Sequence, residues 1–220
     1  MRRKIITTGD GSSTIHIEDW NEQYHSKHGA IQEAYHVFIQ NGLHLFKQPS
    51  IHVLEMGFGT GLNALITLLE SNKLKLDVKY TGVEAFPISK MEFDQLNYVE
   101  ELNAHEVRQQ FKRMHDFEWG KQLQLTNNFS LQKRNCDFFE VADVEVFDLI
   151  YFDAFGARVQ PQLWTAEMFG IMYNALKPKG VLVTYAAKGS VRRAMQEVGY
   201  AVERLPGPPG KREMLRATRP

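Results

Sequence analysis

Three acidic residues, Glu55, Glu84 and Asp153, each close an apolar run, and three glycines at alternate positions, Gly57, Gly59 and Gly61, follow the first of them. Closely spaced glycines let the backbone approach a ligand without interference from Cβ. A carboxylate at the C-terminal end of a strand can take the two ribose hydroxyls of an adenosine, and Glu84 has that position. The chemistry on offer is the holding of a nucleoside between glycine backbone and carboxylates.

The spacing narrows the nucleoside. A dinucleotide site of G-x-G-x-x-G type needs a third small residue where helix packs on strand, and read from Gly57 that position is Leu62. The pattern is E-x-G-x-G-x-G, with no G-K-[ST], so a P-loop is excluded. An acidic residue beside such a turn is typical of sites for S-adenosylmethionine, a cationic ligand without phosphate. The competing reading is a tight turn with no ligand.

These residues need elements to hold them. Val53-Leu54 before Glu55 reads as a strand, and Leu62 to Leu69 as the helix after the turn. Asp77 to Glu84 and Val146 to Asp153 read as further buried strands ending in carboxylates. Lys4 to Thr8 and Thr14 to Glu18, joined by Gly9-Asp10-Gly11-Ser12, predict a hairpin. A helix is expected from Ala30 to Asn41-Gly42, with Ile31, Ala34, Tyr35, Phe38 and Ile39 on one face. Ser89 to Leu96 and the less periodic stretch Asn97 to Lys121 read as helical, and Leu123 to Leu125 and Phe129 to Gln132 as paired strands. Gln160 to Leu176 is expected as a helix with Thr165 as N-cap and Lys177-Pro178-Lys179-Gly180 as its stop. Val181 to Tyr185 reads as a strand, Ser190 to Val198 as a helix stopped by Gly199, Leu205 to Gly210 as a loop and Arg212 to Thr218 as the last strand. Strands alternating with helices predict a doubly wound, mostly parallel α/β sheet, with ligand bound outside the C-terminal strand ends. We expect one domain, 1–220, in which 1–48 is an N-terminal hairpin and helix extension covering the cofactor site and 49–220 is a Rossmann-like core.

Composition bounds the rest. Lys+Arg and Asp+Glu both number 26, so net charge favours neither nucleic acid nor membrane, although a basic face can exist within a neutral total. A single cysteine, Cys136, rules out an intramolecular disulfide and fits a reducing compartment. No run has the length of a membrane span and the start lacks a signal-peptide core, so a cytoplasmic protein is expected. His25, His28 and His36 have no zinc-type spacing and no thiolate pair beside them, so no metal is expected.

The chain resembles the methyltransferase domain of the MnmC family, which modifies the tRNA wobble uridine. Tyr24-His25-Ser26 with Gly29, Glu33 and His36-Val37-Phe38 is similar to the family's Y-F-S…G-x-x-E-x-x-x-V-F-L. Glu55 to Asn63 is similar to its E-x-G-F-G-T-G-L-N. Phe152-Asp153-Ala154-Phe155 and Pro161-Gln162-Leu163-Trp164-Thr165 look like its L-D-G-F-A-P…N-P-x-M-W-T, and Lys211-Arg212-Glu213-Met214-Leu215 like its K-R-E-M-L. Two departures stand out: Gly156-Ala157-Arg158 replaces Ala-Pro, and His25 replaces Phe. The oxidoreductase domain fused to some members is not in this sequence, so their demodification step is not expected of it.

The resemblance implies a class I S-adenosylmethionine-dependent methyltransferase fold. It also implies transfer of a methyl group to the exocyclic amine of 5-aminomethyl(-2-thio)uridine in tRNA, giving the methylaminomethyl form. Cofactor contacts are then expected from Tyr24, Ser26, Glu33, Glu55, Gly57, Gly59, Gly61, Asn63, Glu84, Asp137 and Asp153. Tyr24, Ser26 and Glu33 would close over the methionine end, Glu84 hold the ribose and Asp137 accept from the adenine amine. Asp153, the candidate catalytic residue, would hydrogen-bond either the incoming amine or the ammonium of the methionine moiety. The basic C-terminal part, above all Arg192, Arg193, Lys211 and Arg212, would suit tRNA phosphates. Rival readings are methylation of another RNA base or a small amine, a nicotinamide-dependent oxidoreductase, and a non-catalytic RNA-binding protein.

Overall fold

The structure is a computed structural model that describes residues 2–220. The chain opens with β1 (Arg3–Thr7), β2 (Ser13–Ile17) and β3 (Glu22–Gln23), an antiparallel three-stranded sheet in sequential order. The helix α1 (Ala30–Ala34) continues into a wider π-helical stretch, Tyr35–Gln40. Three consecutive residues there, Val37, Phe38 and Ile39, are all buried. Such π stretches are rare and short, and this one continues a regular α-helix.

The core follows as β4 (Ser50–Met56), α2 (Leu62–Leu74), β5 (Asp77–Val83), α3 (Lys90–Phe93), α4 (Tyr98–Glu101), α5 (Arg108–Asp116), β6 (Gln122–Thr126), β7 (Phe129–Arg134), β8 (Phe147–Phe152), α6 (Ala166–Ala175), β9 (Leu176–Thr184), α7 (Gly189–Val198), β10 (Ala201–Pro206) and β11 (Glu213–Thr218). Its eight strands run in the order β10-β11-β9-β8-β4-β5-β7-β6. The five central strands pair in parallel, while β6, β10 and β11 pair antiparallel. Side chains alternate across this sheet. Val53, Leu149, Tyr151 and Val183 pack with α1 and α2, and Leu54, Ile150, Phe152 and Leu182 pack with α6 and α7. Burial on both faces is why these strands read as continuous apolar runs.

The chain winds from β4 outward through β5 to β7, and then returns to β8 on the other side of β4. The crevice at this reversal lies outside the C-terminal ends of β4, β5 and β8, where Gly57, Glu84 and Asp153 follow. Backbone bonds hold the three ends in register: Gly57 and Phe58 donate to the Val83 carbonyl (3.0 Å each), and Asp153 donates to Met56 (3.0 Å).

Three expectations need correcting. The stretch Asn97 to Lys121, expected as helical, is helical only in pieces, α4, a single 3-10 turn (His105–Val107) and α5, and leaves the helix after Asp116. Lys177 to Gly180, expected as a helix stop, lies inside β9, which starts at Leu176 and whose register against β8 shifts between Phe147 and Leu149. Lys177 is held there by Asp148 at 2.9 Å. The strand β10 is absent from the sequence-based reading, because an edge strand with Glu203, Arg204 and Pro206 in it shows no clean apolar alternation. Among the described residues no helix is long and apolar enough to cross a membrane.

Candidate active site

A cavity of about 270 Å³ occupies the crevice, lined by Gly57 and Gly59 from the turn after β4, Asn63 from α2, Glu84 after β5, Asp137 after β7 and Asp153 after β8. The turn must be glycine at two points. Gly57 has φ +98°, and a methyl group there would lie 2.6 Å from the Asp153 carbonyl oxygen. Gly59 has φ +51°, and its missing side chain leaves room for the Tyr24 ring. Both conformations are left-handed, where a side chain costs about 1–2 kcal/mol.

Glu84 Oε2 accepts from the Gly59 N–H (2.9 Å) and Oε1 from Phe86 (2.8 Å), which fixes the carboxylate at the cavity edge. Asp137 accepts from Phe139 N–H (2.9 Å) and caps a short 3-10 turn, while also lining the cavity. Phe86, Phe138, Phe139 and Leu163 make the wall here apolar.

Beyond them is a buried polar chain. Tyr80 donates to Glu55 Oε2 (2.8 Å), and the Asn63 amide donates both to Glu55 Oε1 (2.9 Å) and to Asp153 Oδ2 (2.9 Å). Burial pushes the Glu55 carboxyl well above the ordinary range, against the lowering effect of the Tyr80 and Asn63 hydrogen bonds. Asp153 is pushed up to about 7, first by burial and then by the negative charge of Glu33, with the Asn63 hydrogen bond and Lys211 pulling the other way. Two further buried oxygens lining the cavity, Asn63 Oδ1 and Gln160 Oε1, accept no hydrogen bond from the protein. Buried acceptors without donors are rare and costly, so this cavity suits a ligand bearing N–H groups.

The N-terminal sheet roofs the cavity. Ile17, Trp20, Tyr24 and His25 line it, and the Phe155 ring meets Trp20 and Tyr24 edge-on at 5.4 and 5.1 Å. Two arginines pin this roof. Arg3 donates to the carbonyls of Phe86 (2.9 Å) and Pro87 (3.3 Å), and Arg158 donates to Trp20, Asn21 and Glu22 (2.8, 3.0 and 2.9 Å). His25, where phenylalanine was the expected type, bonds Thr14 (3.0 Å), and burial lowers its pKa to about 4, so the ring is neutral near pH 7.

A second cavity of about 700 Å³ adjoins the first and shares Tyr24, His25, Ala154 and Phe155 with it. Trp164 and Tyr185 add aromatic wall, and Tyr185 donates to the Ala154 carbonyl (2.8 Å). Ser26 and Glu33, expected at the cofactor, line this second space instead. Glu33 accepts from Ser26 N–H (2.8 Å) and from Lys211 (2.5 Å), and the Lys211 ammonium lies 3.7 Å from the Tyr185 ring centroid.

The expected residues therefore divide. Tyr24, Glu55, Gly57, Gly59, Asn63, Glu84, Asp137 and Asp153 meet around the first cavity, whereas Gly61 lines neither and is packed against His115. Lys211 and Arg212 line the second cavity, with Lys211 committed to Glu33, and Arg192 and Arg193 lie outside both. Arg3, Trp20, Phe155, Gln160 and Tyr185 join the site without being among the expected residues. No local pattern singles them out except at Phe155, which lies in the motif around Asp153. Arg158 stands out in the sequence only as a departure.

A family model described as S-adenosyl-L-methionine-dependent methyltransferase matches residues 97–220. Among curated proteins, the tRNA 5-methylaminomethyl-2-thiouridine biosynthesis bifunctional protein MnmC of Hydrogenovibrio crunogenus is 29% identical over 175 residues, covering 74% of this chain and 25% of that protein. Its counterpart in Pseudomonas savastanoi pv. phaseolicola is 28% identical over 219 residues, covering 91% of this chain and 32% of that one. This chain thus spans about a quarter to a third of the length of these two relatives. Among solved structures, MnmC2 from Aquifex aeolicus superimposes with a TM-score of 0.80 at 26% identity, over 100% of this chain and 70% of that one. Spermidine synthase from Thermotoga maritima, at TM-score 0.58 and 15% identity over 99% of this chain and 73% of that one, shares the fold.

The cavity fits the cofactor of this family. Glu84 offers a carboxylate for a ribose diol, the glycine turn offers open backbone, and Asn63, Gln160 and Asp153 offer acceptors for nitrogen-bound protons. A site built of acceptors and carboxylates, with the crevice of the sheet to hold them, agrees with the match over more than half of the sequence: the chain belongs to the S-adenosyl-L-methionine-dependent methyltransferases.

Proposed function

We propose that this protein methylates the exocyclic amine of 5-aminomethyl(-2-thio)uridine at the wobble position of tRNA, giving the 5-methylaminomethyl nucleoside. The observation that carries the proposal is the junction of two cavities at Ala154 and Phe155, next to Asp153 in the first cavity, one suited to the methyl donor and one with aromatic walls and room for a nucleoside. The names of the MnmC relatives supply the tRNA nucleoside.

Bound S-adenosyl-L-methionine supplies an electrophilic methyl group whose leaving group needs no further activation. The chain's own part is to place and desolvate the acceptor amine. That amine must be neutral at attack. Asp153, with a carboxyl pushed up to about 7, is of the right basicity to accept a hydrogen bond or a proton from an amine near neutral pH. Asn63 holds one Asp153 oxygen in place. Trp164, Tyr185 and Phe155 offer flat apolar surface for a base, and Arg158 pins the roof over the first cavity.

The test is mass spectrometry of nucleosides from tRNA bearing the aminomethyl precursor, incubated with purified protein and S-adenosyl-L-methionine. Conversion of the precursor to its methylaminomethyl form is expected. An unchanged precursor beside methylation of another base or a small amine would replace this reading.

A further inference from the structure

The charges around the second cavity do not cancel. Its carboxylates, Glu22, Glu33 and Glu213, each have a cationic partner: Arg158 at 2.9 Å, Lys211 at 2.5 Å and Arg204 at 3.7 Å. Three more cations line it, Lys27, Lys188 and Arg212, all exposed. Among the described residues none of these three side chains has a hydrogen-bonding, ion-pair or ring partner. They come from three distant parts of the chain, the segment after β3, the cap of α7 and the approach to β11.

Their convergence is enforced. Gly210 packs on the His28 ring, His36 contacts the Pro206 carbonyl at 2.8 Å, and the Lys211–Glu33 pair ties the same loop to α1. These contacts hold Arg212 and Lys27 on one rim. Lys188 caps α7 without a side-chain hydrogen bond, so the first-turn N–H groups of that ten-residue helix, which begins at the exposed Gly189 and Ser190, add positive potential beside it. Arg192, one turn further, donates its backbone N–H to the Lys188 carbonyl and extends the basic track along the helix, with Arg193 next to it. Lys47, Lys75, Lys79 and Lys179, whose side chains also lack partners among the described residues, fall near the opposite, N-terminal ends of the parallel strands.

We propose that Lys27, Lys188 and Arg212 form a phosphate clamp at the mouth of the second cavity. They grip the backbone of a single-stranded RNA segment on either side of the nucleotide turned inward, while the aromatic wall takes its base. The proposal rests on the RNA reading above and adds where the strand runs. Uncompensated cations around an aromatic-walled opening match the electrostatics of unpaired RNA, in which phosphates give affinity and stacking holds the base. A small free amine would need no such rim.

The experiment measures binding of an anticodon stem–loop RNA across a salt series, for the wild type and the triple variant K27Q/K188Q/R212Q. Each lost phosphate contact on a single strand removes about 0.7 from the slope of log K against log salt. The triple variant should therefore lose about 2 from the slope and raise KM for tRNA, with kcat at saturating RNA and affinity for S-adenosylhomocysteine unchanged. K75Q/K79Q should keep the wild-type slope. A triple variant with the wild-type slope and KM would overturn the clamp while leaving the RNA reading intact. A wild type that binds no RNA, yet still binds S-adenosylhomocysteine, would remove both.

Discussion

Replacing Asn63 by alanine tests the buried polar chain at its middle link. The wild-type amide donates to Glu55 and Asp153, at 2.9 Å each, from a residue only 3% exposed. Losing two buried hydrogen bonds costs about 1–3 kcal/mol in all, before any penalty for the stranded carboxyl oxygens. Alanine returns about 0.5 kcal/mol through its better helix propensity in α2, and removal of the unpartnered Asn63 Oδ1 relieves part of the remainder. A net loss of about 2 kcal/mol is expected, which for a chain of this length lowers Tm by about 4–8 °C. The second consequence is electrostatic. The Asn63 bond is among the influences that lower the Asp153 pKa, so its loss must raise that pKa further. A hydrogen bond of about 1.4 kcal/mol corresponds to about one pH unit. Methyl transfer measured from pH 5.5 to 9 should show its acidic limb displaced upward by about that amount in Asn63→Ala. An acidic limb that stays in place, in a folded variant that still binds S-adenosylhomocysteine, would refute the role given to Asp153 as the group accepting from the amine.

Two further variants address neighbouring parts of the site. Asp153→Asn should reduce kcat by about 100-fold or more, the range for a lost proton acceptor, while S-adenosylhomocysteine affinity in calorimetry falls far less; equal losses would make Asp153 a cofactor ligand only. The same substitution has a stability signature. Asp153 has a carboxyl at about 7 in the folded protein against 3.8 ordinarily, so the folded state holds the proton more tightly, and this contribution to stability is lost as pH rises from about 4 through 7. An amide at this position has no proton to lose, so the variant's Tm should fall less than the wild type's between pH 5 and 8; parallel curves would remove the claim that burial raises Asp153. Arg158→Ala breaks the bonds to Trp20, Asn21 and Glu22 that pin the roof. Stopped-flow release of S-adenosylhomocysteine should become about tenfold faster, as expected if these exposed contacts are worth about 1.4 kcal/mol in the closed state, and an unchanged release rate would mean the roof is held without them.

The sheet and the strand-end part of the site were legible because their determinants are local. Val53-Leu54 and Leu149 to Phe152 are buried on both faces and read as strands, and Gly57 and Gly59 owe their identity to backbone angles that a sequence pattern can show. Glu84 and Asp153 were legible as strand-end carboxylates. The mutual contacts of Ser26, Glu33 and Lys211 were not legible because they depend on how the N-terminal segment and the loop before β11 fold onto each other, a contact between residues about 180 positions apart. Glu33 and Lys211 pair with each other, an arrangement that residue type alone does not show. Arg192 and Arg193 were singled out by charge alone, and they lie on α7 beyond the cavity lining, next to Lys188. Asn63 reaches Asp153 across 90 residues of sequence while also holding Glu55, and only the crossover that brings β8 beside β4 puts both carboxyls within reach of one amide.

Tyr24, His25 and Phe155 line both cavities and form a party wall between the proposed donor compartment and the larger one. A wall shared in this way makes tenancy of the two rooms interdependent. A donor in the first room would back these rings and so set the shape of the neighbouring room. The architecture therefore favours a compulsory order of arrival, donor before acceptor, and of departure, methylated product before the spent donor.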